Sequence, residues 1–211
     1  MTIHKIYELI SPHFRRARTR MFESVMHPTP SKTILDVGGT QTFWSESEFK
    51  GQVTLLNTEP SRFGDAAVVG KQVVGDGCSL PFPEGSFDIV FSNSVIEHVG
   101  TWERQVQFAA EALRVGRTFW IQTPAREFFI EPHLIAPFVH WLPRSWQRRL
   151  IRHFTIRGWL DRPGPAAVEE FLDEVRLISY AEMKQLFPGC RIIKEPFFGM
   201  CKSYVAVKGA E

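Results

Sequence analysis

Three short apolar runs in this chain each end in small, acidic or amide residues, a pattern that lets a backbone turn approach a polar ligand closely. They are Ile34-Leu35-Asp36-Val37-Gly38-Gly39-Thr40, Val53-Thr54-Leu55-Leu56-Asn57-Thr58-Glu59-Pro60 and Val73-Val74-Gly75-Asp76-Gly77-Cys78-Ser79-Leu80-Pro81-Phe82. Such runs read as buried parallel strands whose carboxyl ends open into a ligand crevice. Gly38 and Gly39 admit conformations and a closeness of approach that a side chain would block. Asp36, just before them, can accept hydrogen bonds from the turn or from a cationic amino group. A fourth run, Phe87 to Ser92, leads into Asn93, Ser94, Glu97 and His98, and Glu131 stands two residues before His133. Imidazoles titrate near neutrality, so His98, His133 and His140 are candidate proton acceptors, with Glu131 a carboxylate that can raise a histidine's basicity.

These residues need elements to hold them. Strands are expected at about 33–37, 53–57, 71–75, 87–92 and 117–123, separated by helix-length connections that imply parallel pairing with right-handed crossovers. A helix over 101–114 has Thr101 as N-cap, Glu103 in its first turn and an apolar stripe of Trp102, Val106, Ala109 and Leu113. An earlier helix spans 4–26 and ends at His27-Pro28-Thr29-Pro30. Residues 124–165 break the rhythm with six prolines and three tryptophans, too long for an ordinary loop, and read as an insertion or lid. Regular structure resumes with a helix at about 165–177, a short helix opened by a Ser179–Glu182 capping box, and strands at about 190–195 and 202–208 joined as a hairpin.

Size and composition bound the class. The 211 residues fit one α/β domain with an insertion, and 44% hydrophobic and 23% charged residues are ordinary for a globular protein. A net charge of +2 does not by itself imply nucleic acid. Cys78, Cys190 and Cys201 form no CxxC pair, which argues against a disulfide framework or a zinc site, so no metal is expected and a reducing compartment is. Without a signal-peptide pattern or a membrane-length apolar run, the expected location is cytoplasmic, with membrane association left open.

Taken in series, the three runs and the Phe87–Val99 segment resemble the class I S-adenosylmethionine-dependent methyltransferases, and most closely the small bacterial type 11 branch. That branch often shows segments like Trp120-Ile121-Gln122-Thr123-Pro124 and Ile130-Glu131-Pro132-His133. The resemblance implies a doubly wound, mostly parallel seven-stranded α/β sheet (Rossmann-like), with an antiparallel C-terminal hairpin and a helical lid. A helical segment over 1–30 would precede a methyltransferase domain over 31–211, with the acceptor insertion at 124–165. The implied cofactor is S-adenosylmethionine. Asp36, Gly38, Gly39 and Thr40 would form its glycine turn, with Thr40 and Thr42 standing where the family has glycines. Glu59, with Asn57 beside it, would take the ribose hydroxyls. Asp76 would accept the adenine amine, Gly77 and Cys78 would offer amides, and Leu80 would pack on the purine. Asn93 and Ser94 would border the transferable methyl group.

On the acceptor side, His98, His133 and Glu131 are the catalytic candidates, and Arg126, His140 and Trp141 the substrate-binding ones. The implied reaction is O-methylation of a small molecule or of a glycan or lipid precursor. From His133 to Arg162, three tryptophans alternate with six arginines. That surface suits peripheral membrane contact or a lipid-linked acceptor, while a lid helix with solvated arginines is the plainer alternative. No nucleic acid partner is expected, because no stacking motif is recognisable. Two other readings stay open: a non-catalytic methyltransferase-fold partner, suggested by Thr40 and Thr42, and a membrane-surface module. The oligomeric state is not legible.

Overall fold

The computed structural model describes residues 17–44, 47, 49, 52–63 and 70–209. The N-terminal helix is described over 17–26 (α1), so the expectation for its earlier residues lies outside the described residues. The sheet is built from β1 (Ile34–Val37), β2 (Val53–Asn57), β3 (Lys71–Val74), β4 (Phe87–Asn93), β5 (Gly116–Pro124), β8 (Arg191–Phe197) and β9 (Met200–Lys208). Its order is β3-β2-β1-β4-β5-β9-β8, with β1 to β5 parallel and β9 antiparallel to both β5 and β8. This is the doubly wound, mostly parallel architecture with an antiparallel C-terminal pair.

Strand periodicity explains the two cores. Successive side chains point to opposite faces, so Leu35, Val37, Val90, Phe119 and Ile121 enter one core. Ile34, Ile89, Phe91 and Trp120 enter the other. The first core is covered by α3 (Trp102–Val115) and α7 (Tyr180–Leu186), the second by Phe22 and Met26 of α1 and Trp44 of the short α2 (Gln41–Trp44). Thr101 caps α3 by accepting from the Arg104 amide.

The buried stripe of α3 differs from the expected one. It consists of Gln105, Phe108, Ala109, Ala112 and Val115, and Val106 is exposed. The polar Gln105 is accommodated because its Nε2 donates to the Ile96 and Arg176 carbonyls while its Oε1 accepts from Arg176.

The 124–165 segment holds a two-residue hairpin, β6 (Ile130–Glu131) with β7 (Ala136–Pro137), then α4 (Arg144–Phe154) and α5 (Ile156–Asp161). Together with α6 (Pro165–Glu174) it encloses a small separate core of Leu134, Ala136, Val139, Ile151, Val168 and Phe171. The α6 helix ends at Glu174, short of the expected residue 177, and the chain beyond it turns so that the Arg176 amide donates to the Glu97 carbonyl. The Ser179–Glu182 capping box is complete. The β8–β9 turn uses Phe198 (φ 47°) and Gly199 (φ 74°), the left-handed pair that a tight two-residue hairpin requires. Among the described residues, no helix is long and apolar enough to cross a membrane.

Candidate active site

Strand order reverses between β1 and β4, and a crevice of about 420 Å³ opens there at the carboxyl ends of the parallel strands. Its walls include Gly38, Asn57, Asp76, Gly77, Ser94 and His98. Gly38 has φ 79°, and a Cβ there would lie 2.5 Å from the Val95 side chain. A Cβ on Gly77 would lie 2.8 Å from the Phe108 ring. Both glycines are therefore required for the crevice to keep its shape.

Six sequence-predicted residues thus meet around one cavity, while others sit just behind or outside it. Asp36 is buried beneath the glycine turn, where its Oδ2 accepts from Trp44 Nε1 at 2.6 Å and its Oδ1 has no hydrogen-bond partner among the described residues. Burial pushes its carboxyl up to about 7, against the lowering effect of Trp44. Gly39 lies over that carboxylate, and its carbonyl accepts from Asn57 Nδ2 at 2.7 Å. Thr40 is exposed on the turn.

Glu59, the expected ribose carboxylate, is also exposed and accepts from the Ser61 hydroxyl. It is Asn57 that faces the crevice, because the strand ends there and the chain then leaves the sheet. Cys78 and Leu80 are core residues: the Cys78 thiol donates to the Arg104 carbonyl and the Leu80 amide to Glu111. Burial pushes the Cys78 thiol up to about 11. Asn93 is turned away from the cavity and accepts from Arg18 of α1 at 3.1 Å.

Arg104, which no short-range signal marks, also lines the crevice and donates to Asp76 at 2.8 Å. Burial works against the Asp76 carboxylate, but Arg104 and the Cys78 amide outweigh it and hold its pKa below the usual range. Arg62, Val95, Val99 and Glu174 also line the crevice without having been legible.

The rings of His98 and His133 stand edge to face with centroids 4.7 Å apart. Burial lowers the pKa of His98, whose Nδ1 lies 3.4 Å from Glu174. His133 is also pushed down by burial, but Glu131, 2.6 Å from its Nδ1, outweighs this and raises it overall. Glu131 further accepts from the Leu134 amide and lines a second cavity of about 380 Å³ with Arg126, His140 and Arg144. His140 Nε2 and Trp141 Nε1 both donate to the Arg126 carbonyl. Trp141 lines a shallower depression with Arg126, Glu127 and Ser179. His98 thus lines the crevice, while His133 is linked through Glu131 to the second cavity.

A seven-stranded sheet of this order, with an aspartate and an amide at successive strand ends around a glycine-floored crevice, defines the class I methyltransferase fold. A family model described as a methyltransferase domain matches residues 35–118, and this region resembles the type 11 S-adenosylmethionine-dependent methyltransferases. An uncharacterized methyltransferase of Mycobacterium sp. (strain KMS) is 35% identical over 104 residues, covering 46% of this chain and 40% of that protein. The chain thus matches less than half the length of this curated relative.

Two solved structures share the fold. One is a Haloferax volcanii methyltransferase in complex with the activator Trm112, at 14% identity and TM-score 0.55, covering 96% of this chain and 91% of that one. The other is an S-adenosylmethionine-dependent methyltransferase from Archaeoglobus fulgidus, at 10% identity and TM-score 0.58, covering 92% of each chain. The family's cofactor is S-adenosylmethionine. The crevice fits it: Asp76 and Asn57 offer the polar contacts a nucleoside needs, and at Gly38 and Gly77 a side chain has no room.

Proposed function

We propose that this chain transfers a methyl group from S-adenosylmethionine to a hydroxyl of a small molecule or of a glycan or lipid precursor. The supporting observation is the His98–His133 pair: His98 lines the crevice, and His133, packed against it, is held by Glu131, which lines the second cavity. When bound, the donor supplies a methyl group on a positively charged sulfur, open to in-line displacement.

The chain's own residues do the rest. Asp76 holds the adenine amine and Asn57 the ribose, while Gly38 and Gly77 leave room for the nucleoside. Ser94, fixed by its hydrogen bond to Gln122 at 2.9 Å, borders the methyl end. His98 and His133, the latter oriented by Glu131, hold the acceptor hydroxyl and ease the loss of its proton. Arg126, His140 and Trp141 shape the acceptor's entry, and the lid excludes water, which places nucleophile and methyl in line.

The test is methyl incorporation from labelled donor into a panel of hydroxylated acceptors. His98→Ala should keep S-adenosylhomocysteine affinity and reduce turnover by about 10²–10⁴-fold. Unchanged turnover would refute the assignment.

A specific surface favours an acceptor presented at an interface. Trp146, Phe154 and Trp159 are 60%, 67% and 64% exposed, close in sequence to the exposed Arg149 and Arg152. Aromatic and basic groups together suit an anionic lipid headgroup layer. Co-sedimentation with anionic vesicles, lost on reversing Arg149 and Arg152 to glutamate, checks it. Failure to co-sediment would leave a freely diffusing acceptor.

A further inference from the structure

We propose that Glu97, His98 and His133 form a binding site for a divalent first-row cation such as zinc or manganese, placed to hold the acceptor oxygen. The inference rests on the methyltransferase reading for its role but not for its existence. Each residue presents one ligand atom, and these atoms lie within 4.8 Å of one another. A cation with bonds near 2.1 Å needs donors about 3–4 Å apart, so small side-chain rotations complete the site.

Glu97 is the strongest indication. Its residue is 0% exposed, its Oε2 accepts from the Thr123 hydroxyl at 3.0 Å, and its Oε1 has no hydrogen-bond partner among the described residues. A buried carboxylate oxygen left unpaired is costly unless a cation meets it. The histidines are arranged to supply that meeting. Glu131 occupies His133 Nδ1, leaving Nε2 free, which is the carboxylate–histidine arrangement that orients metal-bound imidazoles. Glu174 likewise faces His98 Nδ1. Two imidazoles and one carboxylate suit zinc, manganese or iron(II) and leave coordination positions open.

Those open positions lie where His98 lines the nucleoside crevice. An acceptor hydroxyl bound there becomes more acidic. Its oxygen forms a bond to the methyl carbon as the sulfur–methyl bond breaks, the electron pair stays on sulfur, and the proton leaves to solvent. The sequence hides this site because His133 follows His98 by a long interval with no metal-ligand spacing.

The test is calorimetry of the full chain, stripped with a chelator, titrated with Zn²⁺ and Mn²⁺ alone, alongside S-adenosylhomocysteine binding on the same samples. One equivalent of cation should bind, and the visible spectrum of the Co²⁺ form should show imidazole and carboxylate ligation. Glu97→Gln and His133→Ala should abolish binding, and Glu131→Gln should weaken it by about 10–100-fold. S-adenosylhomocysteine affinity should persist in all three, which separates loss of the site from misfolding. Cation binding that survives Glu97→Gln and His133→Ala, or wild-type chain that binds the nucleoside and no cation, would overturn the proposal while leaving the methyltransferase reading standing.

Discussion

Replacing Asp36 with asparagine should make the protein's stability less sensitive to pH and raise it in mildly alkaline solution. The Asp36 carboxyl is 1% exposed, and burial lifts its pKa from 3.8 to about 7. Because the folded pKa is raised, the folded state binds more protons than the unfolded one between about pH 4 and pH 7. Stability carried by the neutral carboxyl is therefore present at low pH and lost as pH rises through that window. At about 1.36 kcal/mol per unit, the full shift corresponds to about 4 kcal/mol, of which about 3 kcal/mol is lost between pH 5 and pH 8. Asparagine keeps a carbonyl oxygen to accept from Trp44 and has no charge to bury. Urea denaturation at both pH values checks this. With a slope of about 2 kcal/mol/M, the midpoint advantage of Asp36→Asn over wild type should grow by about 1.5 M from pH 5 to pH 8. A midpoint difference that stays constant across pH would show that the carboxyl is not held neutral by burial, and the reasoning would fail.

Removing the Asp76 carboxylate should weaken S-adenosylhomocysteine binding by about tenfold or more, measured by calorimetry on Asp76→Ala, since a hydrogen bond to a charged group is lost. Gly77→Ala should lower stability by about 1–3 kcal/mol in thermal unfolding, because its methyl would press on the Phe108 ring and on Val37. Ser179→Ala should cost about 1 kcal/mol in urea, through loss of the capping box that starts α7.

The inner parallel strands β1, β2, β4 and β5 were legible because they are largely buried and read as apolar runs. By contrast β3, expected to be buried like them, is the exposed edge strand, with Lys71, Gln72 and Val74 facing solvent. The capping box was legible because its two partners lie three residues apart. Contacts made at long range were not. The burial of Gln105 depends on Arg176, which the turn after α6 brings to it. The choice between Asn57 and Glu59 depended on where pairing stops: Asn57 is the last residue of β2 in register with β3, opposite Val74, so the alternation that would have aimed Glu59 into the crevice ends before it. Arg104 reaches Asp76 across 28 residues, which no local pattern marks. His98 and Glu131 stand out as types, but their meeting through His133 depends on the β6–β7 hairpin bringing His133 against His98, far from it in sequence.

On the proposed function, adenosine lies across the β1–β4 switch point, between Asn57 and Asp76. A crystal structure of the full chain with S-adenosylhomocysteine tests it most directly. The adenine should lie against Asp76 and Gly77 and the ribose at Asn57, with the sulfur directed toward Ser94 and His98. A nucleoside seated away from these residues would contradict it.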